Sequence, residues 1–204
     1  MSYFKPDWID KYLPKEKIKV VFDIGSKHGH DGLIFKKKFP KARVIAIEAD
    51  DVLYCKIVGN PSMRCLEVFN YAVFDKDGVV EFHYNRGKCN GSGSVFPPNP
   101  KVFKFDHVSS FGTQMVGSIR MDTLCEKIGI DDIDIVHMDI QGAEYNALIG
   151  LGDMRPKMIF LEVGYKYYKG ALSPISKLRG MGYKHILNIK GDQLWVYAMN
   201  KLNR

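Results

Sequence analysis

Val20-Val21-Phe22-Asp23-Ile24-Gly25-Ser26-Lys27-His28-Gly29-His30-Asp31-Gly32 is the stretch from which the rest of the chain can be read. Its apolar residues are mostly β-branched or aromatic, as in a buried parallel strand, and they run straight into a glycine-punctuated turn. Leu33-Ile34-Phe35 then begin a helix. A strand, a tight turn and a helix start build a nucleotide pocket. Glycine lets the backbone approach a ligand closely, and the N–H groups of a helix's first turn are unpaired donors.

Spacing decides which ligand suits the turn. A dinucleotide fingerprint needs a second glycine two residues after the first, where the backbone clears a pyrophosphate, and a third glycine three residues later. Those positions hold Lys27 and His30. The pattern Asp23-x-Gly25-x-x-x-Gly29 suits a ligand without pyrophosphate, and the strand-end acid Asp23 suits one with positive charge. S-adenosylmethionine (SAM), with its ammonium and sulfonium, meets both conditions; a nicotinamide cofactor fits less well. The competing reading is steric, a glycine turn with no cofactor role.

Arg43-Val44-Ile45-Ala46-Ile47-Glu48 reads as the next strand. It ends in an acid at about the distance where doubly wound nucleotide folds place a ribose-binding carboxylate. Alternatively Glu48 is only an acidic strand end, with Asp50 and Asp51 as N-cap material for a helix over 52–58.

The remaining pattern alternates strand and helix: helix 30–39 stopped by Pro40, then strand 43–48, then helix 50–58 closed by Gly59-Asn60-Pro61. Residues 1–17 form an N-terminal lead-in, with Trp8 and Tyr12 packing on the domain edge. A third strand is expected over 62–68, and an alternating strand over 79–84 after the Asp75-Lys76-Asp77-Gly78 turn. Residues 85–118, rich in Gly, Ser, Asn and Pro, read as an irregular insertion, either a lid or partner surface or a disordered loop. Regularity returns at 115–120, and a helix capped by Asp122 ends at Gly129. Ile133 to Ile140 is the central strand of the second half, followed by a helix through Gly150. A strand over 157–163, a helix over 172–179 and a hairpin of 183–189 with 194–199 complete the chain. The fold class is α/β, a Rossmann-like, mostly parallel sheet with a C-terminal antiparallel hairpin, all in one domain over 1–204.

At 204 residues the chain can bury a substantial core. No apolar run approaches the roughly 18 residues of a membrane span, and the start lacks the apolar core of a signal peptide, so no membrane partner and a cytoplasmic address are expected. Cys55, Cys65, Cys89 and Cys125 are widely spaced, which indicates neither a zinc site nor a disulfide framework, and no metal is expected. The formal charge of +7, densest at Lys36-Lys37-Lys38 with Lys41 and Arg43, leaves a nucleic-acid partner open on charge alone. Oligomeric state is not encoded in any motif.

The motifs at 21–29 and 44–49, Asn70-Tyr71-Ala72-Val73 before Asp77-Gly78, and Ile135-Val136-His137-Met138-Asp139-Ile140-Gln141-Gly142-Ala143-Glu144 through Leu148-Ile149-Gly150 together resemble the FkbM-type methyltransferases. The resemblance covers about 18–165. It implies a class I methyltransferase fold, SAM as methyl donor and a hydroxyl acceptor on a sugar, glycan or small natural product. Two positions depart from the family pattern: Gly-Ala-Asn-x-Gly is Gly25-Ser26-Lys27-His28-Gly29 here, and the Glu after the central strand is Gln141. Within that resemblance Gly25, Ser26 and Gly29 approach the methionine part of SAM, with Asp23 engaging its ammonium directly or through water. Glu48 takes the ribose, and Asn70 and Ala72 meet the adenine. Asp139 holds the cofactor, orients the acceptor or takes its proton. His28, at the turn, is a candidate base with the helix-start reading beside it, as is the weaker His30. Glu144 is read either as functional or as an acid favoured in a helix's first turn. An RNA or protein methyltransferase, or a SAM-binding domain without catalysis, are the alternatives.

Overall fold

The computed structural model describes residues 6–87, 91–102 and 111–198. Its strands are β1 (Val20–Ile24), β2 (Arg43–Ile47), β3 (Glu67–Phe69), β4 (Ala72–Val73), β5 (Gly78–Asn85), β6 (Phe111–Ile119), β7 (Ile135–Met138), β8 (Met158–Glu162), β9 (Tyr183–Ile189) and β10 (Asp192–Tyr197). The helices are α1 (His30–Lys38), α2 (Asp51–Val58), α3 (Met121–Ile128), α4 (Glu144–Gly150) and α5 (Ile175–Gly180). A seven-stranded sheet has the order β3-β2-β1-β7-β8-β10-β9, and a smaller sheet the order β4-β6-β5. Strands β3, β2, β1, β7 and β8 run parallel, while β10 runs antiparallel between β8 and β9. This is the mostly parallel, Rossmann-like sheet with a C-terminal hairpin that the alternation of strands and helices implied.

Both faces of the sheet are covered, so the central strands are apolar almost throughout, the exceptions being Asp23 in β1 and His137 in β7. Strand parity splits the core in two. Phe22, Ile24, Ile45, Ile47, Val136 and Met138 face one layer with α3 and α4. Val21, Val44, Ala46, Ile135, Met158 and Phe160 face the other, with Phe35 of α1 and Ile57 of α2. The N-terminal lead-in is a pair of 3-10 turns, Pro6–Lys11 and Lys15–Lys17, and Trp8 packs on Phe160 with ring centroids 6.0 Å apart.

Several boundaries differ from the expected ones. Strand β3 is short because Pro61–Met63 form a 3-10 turn, started by Asn60 accepting from Ser62 N–H. Helix α5 begins only at Ile175, after Pro174. Asp122 does not cap α3; Arg120 is at the cap position, and Asp122 binds the Arg120 guanidinium from inside the first turn. The irregular insertion is narrower than 85–118, because 111–118 pairs with β5 along its whole length. Residues 88–90 and 103–110 of that insertion, with Cys89 and His107, lie outside the described residues, as does the expected end of the last strand at 199. Among the described residues no helix is long and apolar enough to cross a membrane.

Candidate active site

Open parallel sheets bind ligands beyond the carboxyl ends of their strands, where the strand order reverses. Here that point lies between β1 and β7. A cleft opens there, lined by Gly25, Lys27, Glu48, Tyr71, Ala72 and Asp139 together with Ile24, Ile47, Leu53, Val73, Phe82 and Ile140.

The turn after β1 is built on left-handed backbone. Gly25, Lys27 and Gly29 have φ of 80°, 55° and 77°. The N–H groups of Gly25 and Ser26 both donate to Ile47 O, at 2.9 and 3.1 Å, which ties the turn to the end of β2. A Cβ on Gly25 would lie 2.1 Å from the carbonyl oxygen of Asp139, so the two loops that flank the cleft touch backbone to backbone. Glycine is the residue that permits this contact.

Glu48 is buried, yet it borders the cleft. Its Oε2 accepts from Lys27 N–H at 2.7 Å and its Oε1 from Asp50 N–H at 2.9 Å. Each oxygen keeps a lone pair for a ligand hydroxyl. Burial pushes its carboxyl up to about 7, against the two backbone donors. Asp50 caps α2 as the sequence suggests, accepting from Val52 and Leu53 N–H, and pairs with Arg86, whose guanidinium sits 4.0 Å from the Tyr84 ring centre.

Four of the expected cofactor residues stand behind this wall. Asp23 is fully buried, on the side of the sheet under α1 that it shares with Val21. Its Oδ2 accepts from Ser26 Oγ at 2.6 Å and Gly32 N–H at 2.9 Å, and its Oδ1 pairs with His137 Nδ1 at 2.8 Å. Asp23 is not among the residues that line the cleft, and its carboxylate binds the turn and β7 where the sequence suggested a direct or water-mediated contact with a ligand ammonium. The Ser26 side chain serves the same network, and Gly29 starts α1 against Met63. Asn70 Nδ2 donates to the carbonyls of Glu48 and Ala49, at 2.9 and 3.3 Å, so it fixes the loop carrying Glu48. Neither Asn70 nor His28 is among the residues that line the cleft, and partial burial followed by the Lys27 charge pushes His28 down. Ala72, by contrast, does line it.

Asp23, Asp31 and His137 place their ligating atoms within 4.8 Å of one another, the composition of a metal site. Within it, Asp23 and His137 form a buried pair through Oδ1 and Nδ1. Burial favours a neutral His137, but Asp23, then Asp31 and Asp139, outweigh it and hold the imidazole up to about 9. A group raised in the folded state gives stability that is complete below its unfolded value near 6.5 and lost as pH rises through 9. Unfolding free energies from urea titrations at pH 6 to pH 9.5 are expected to fall, and in His137→Gln that fall is smaller by ~3 kcal/mol. An equal fall in both proteins would refute a charged His137.

On the far side of the cleft, Asp139 leaves β7 and Glu162 ends β8. Gln141, at φ 55°, donates from Nε2 to Asp139 Oδ1 at 2.5 Å and to Glu162 Oε2 at 2.7 Å. The Tyr168 hydroxyl is 3.1 Å from Gln141 Oε1 and 2.8 Å from Ser92 O, which ties this corner to the segment 91–95 that covers the cleft. Gly91 lies against the Lys27 side chain and Gly93 against Phe82, too close for a Cβ on either. Glu144 is fully buried and pushed up to about 8 by that burial; it accepts from Ile140 and Gly142 N–H and shapes the 139–142 turn. Lys27, Glu162 and Tyr168 were not singled out from sequence. Glu162 carried a readable signal, an acid closing the apolar run Met158-Ile159-Phe160-Leu161 just as Glu48 and Asp139 follow theirs.

With this geometry in place, comparison with known proteins is decisive: the Methyltransferase FkbM domain matches residues 23–189. This chain belongs to the FkbM-domain methyltransferases. The 2-O-methyltransferase NoeI of Sinorhizobium fredii is 29% identical over 163 residues, 75% of this chain and 67% of NoeI. Among solved structures, the Methanococcus jannaschii fibrillarin pre-rRNA processing protein superposes with a TM-score of 0.53 at 10% identity, covering 92% of this chain and 70% of that one. A fibrillarin/Nop5p complex gives 0.50 at 10% identity, over 91% and 74%. These two likenesses concern the fold alone. The chain is a SAM-dependent methyltransferase, and its cleft fits that cofactor. Glu48 presents two acceptor oxygens to the cleft, Leu53, Ala72, Val73 and Phe82 line it with apolar surface, and Gly25 adds no side chain to narrow it.

Proposed function

We propose that this FkbM-domain methyltransferase methylates a hydroxyl of a sugar-like or other small hydroxylated acceptor. The observation that carries the reading is the sequence shared with a 2-O-methyltransferase over 75% of the chain. In this reading Glu48 holds the ribose hydroxyls, the Gly25 backbone approaches the methionine part, and Ala72 with Leu53 and Val73 receives the adenine. Asp23, Ser26, Gly29 and Asn70 keep those groups in place from behind. SAM, when bound, supplies a methyl group on a positively charged sulfur. What the chain adds is alignment of the acceptor, exclusion of water and removal of a proton. Segment 91–95, lying over Lys27 and Phe82 and tied to Tyr168, acts as the cover that keeps water out. The whole chain works as one catalytic domain, in a cytoplasmic setting suited to its free thiols at Cys55, Cys65 and Cys125.

Incubation with methyl-labelled SAM and three acceptor panels, simple methyl glycosides, short RNAs and peptides, tests the reading. Label is expected in glycosides, with little dependence on salt. Label confined to RNA, with binding that weakens steeply as salt rises, would replace this reading by a nucleic-acid one.

A further inference from the structure

We propose that Asp139 and Glu162, bridged by the Gln141 amide, act together as the proton acceptor for the hydroxyl that is methylated. The inference rests on the hydroxyl-acceptor reading above. Strands β7 and β8 pair in parallel with Met138 opposite Leu161, so the next residues, Asp139 and Glu162, lie side by side at the carboxyl end of the sheet. Asp139 borders the cleft, and both acids are partly exposed.

Two acids placed together repel unless something holds them. Here one amide nitrogen gives both its hydrogens, one to each carboxylate, at 2.5 and 2.7 Å. The amide is oriented by its other end, whose oxygen faces the Tyr168 hydroxyl at 3.1 Å. Gln141 is held at φ 55°, in the left-handed region that disfavours a side chain and that is found chiefly where the surrounding structure enforces it, often at functional sites. A glutamate at 141, as the family pattern has it, would add a third negative group to the corner.

The surroundings favour a proton shared by the pair. Asp192 from β10 adds negative charge beside Glu162, Glu144 from α4 faces both acids with a carboxyl that burial keeps largely protonated at neutral pH, and His137 and Asp31 face Asp139 from below the sheet. Burial first, then the charge of Asp139 and a hydrogen bond with it, push Glu162 up to about 7. Two carboxyl groups that cannot both ionise easily form one base whose proton affinity belongs to the pair. Ionised at both sites, the pair takes the hydroxyl proton of the acceptor. The acceptor oxygen bonds to the methyl carbon as the carbon–sulfur bond breaks, and that electron pair goes to sulfur, which becomes a neutral thioether. The proton then stays between Asp139 and Glu162.

The test uses carbon-13 labelling of the glutamate and aspartate carboxyl groups in the full chain, with Glu162 identified by its loss in Glu162→Gln. Glu162 is expected to titrate near neutrality in the wild type and to fall by at least one pH unit in Asp139→Asn. Titration in the ordinary glutamate range, unchanged in Asp139→Asn, would overturn the pair without any acceptor present. With a methylated glycoside in hand, kcat of the wild type is expected to climb with pH to a plateau above neutrality. Glu162→Gln should then lower kcat at least 100-fold while S-adenosylhomocysteine affinity stays within threefold. A variant that keeps more than a third of wild-type kcat would refute the role as base. If Glu162→Gln does not fold, Gln141→Glu decides: the added charge is expected to move the rising limb by about one pH unit to higher pH, and an unmoved limb counts against the pair. Absence of any glycoside product would sink the acceptor reading while leaving the carboxyl titration to decide the pair.

Discussion

Gly25→Ala is expected to lower the unfolding free energy by ~3 kcal/mol or more and to abolish measurable binding of S-adenosylhomocysteine. Two costs combine at this position. An alanine at φ 80° is in the left-handed region, which disfavours any Cβ by roughly 1–2 kcal/mol. The new carbon would also lie 2.1 Å from Asp139 O and 2.8 Å from its carbonyl carbon. Those atoms are backbone of the neighbouring loop and cannot rotate away, so β1 and β7 must separate at their ends, where the cleft begins. Gly29→Ala is the control. Its φ is 77°, yet its Cβ would meet the flexible end of Met63 at 3.0 Å, so only the backbone cost of about 1 kcal/mol is expected there. Chemical denaturation and calorimetry of the two variants separate the effects. Near-equal stability of Gly25→Ala and wild type would mean that the two loops are not in contact.

Glu48→Ala is expected to weaken SAM binding more than tenfold without unfolding the chain. Hydrogen bonds to a charged group contribute about 1.5–3 kcal/mol each, and a tenfold change in affinity corresponds to 1.4 kcal/mol, so loss of one such bond suffices. The chain survives because the buried acid is itself costly: burial has already pushed it up to about 7. The same shift fixes the direction of a pH effect. Below about 7 the free enzyme carries a protonated Glu48, which has lost the negative charge that strengthens its hydrogen bonds from ligand hydroxyls. Affinity should therefore fall by about tenfold between pH 8 and pH 6, the work of one bound proton. In Glu48→Gln the dependence is expected to vanish. Calorimetric affinity that is unchanged in Glu48→Ala, or flat with pH in the wild type, would remove Glu48 from the ribose site.

The acids that end strands show how far sequence reading reached. Glu48 and Glu162 each follow an uninterrupted apolar run and Asp139 a run broken only by His137, and such runs end where a parallel sheet meets its ligand crevice. That much is linear information. Asp23 follows the same rule in appearance and breaks it in fact, because it is the fourth residue of β1 and its side chain takes the side of Val21, under α1. Alternation along a strand shows that Asp23 and Val21 share a side, but which layer covers that side is known only once α1 has packed. Its partner, His137, lies 114 positions away and is brought opposite it by the parallel register of β1 with β7.

By itself the sequence determined the α/β alternation, the glycine turn after the first strand, the acids at the strand ends and the family, because each depends on neighbours within one strand, turn or helix. The tertiary structure alone decided which acids reach the cleft and which are consumed in holding it together. It also decided that β6 reaches back to Phe111 as partner of β5, and that Gln141 joins Asp139 to Glu162. The physical reason is common to all of these: hydrogen bonds and burial across strands are set by register and layer packing, which no local spacing encodes.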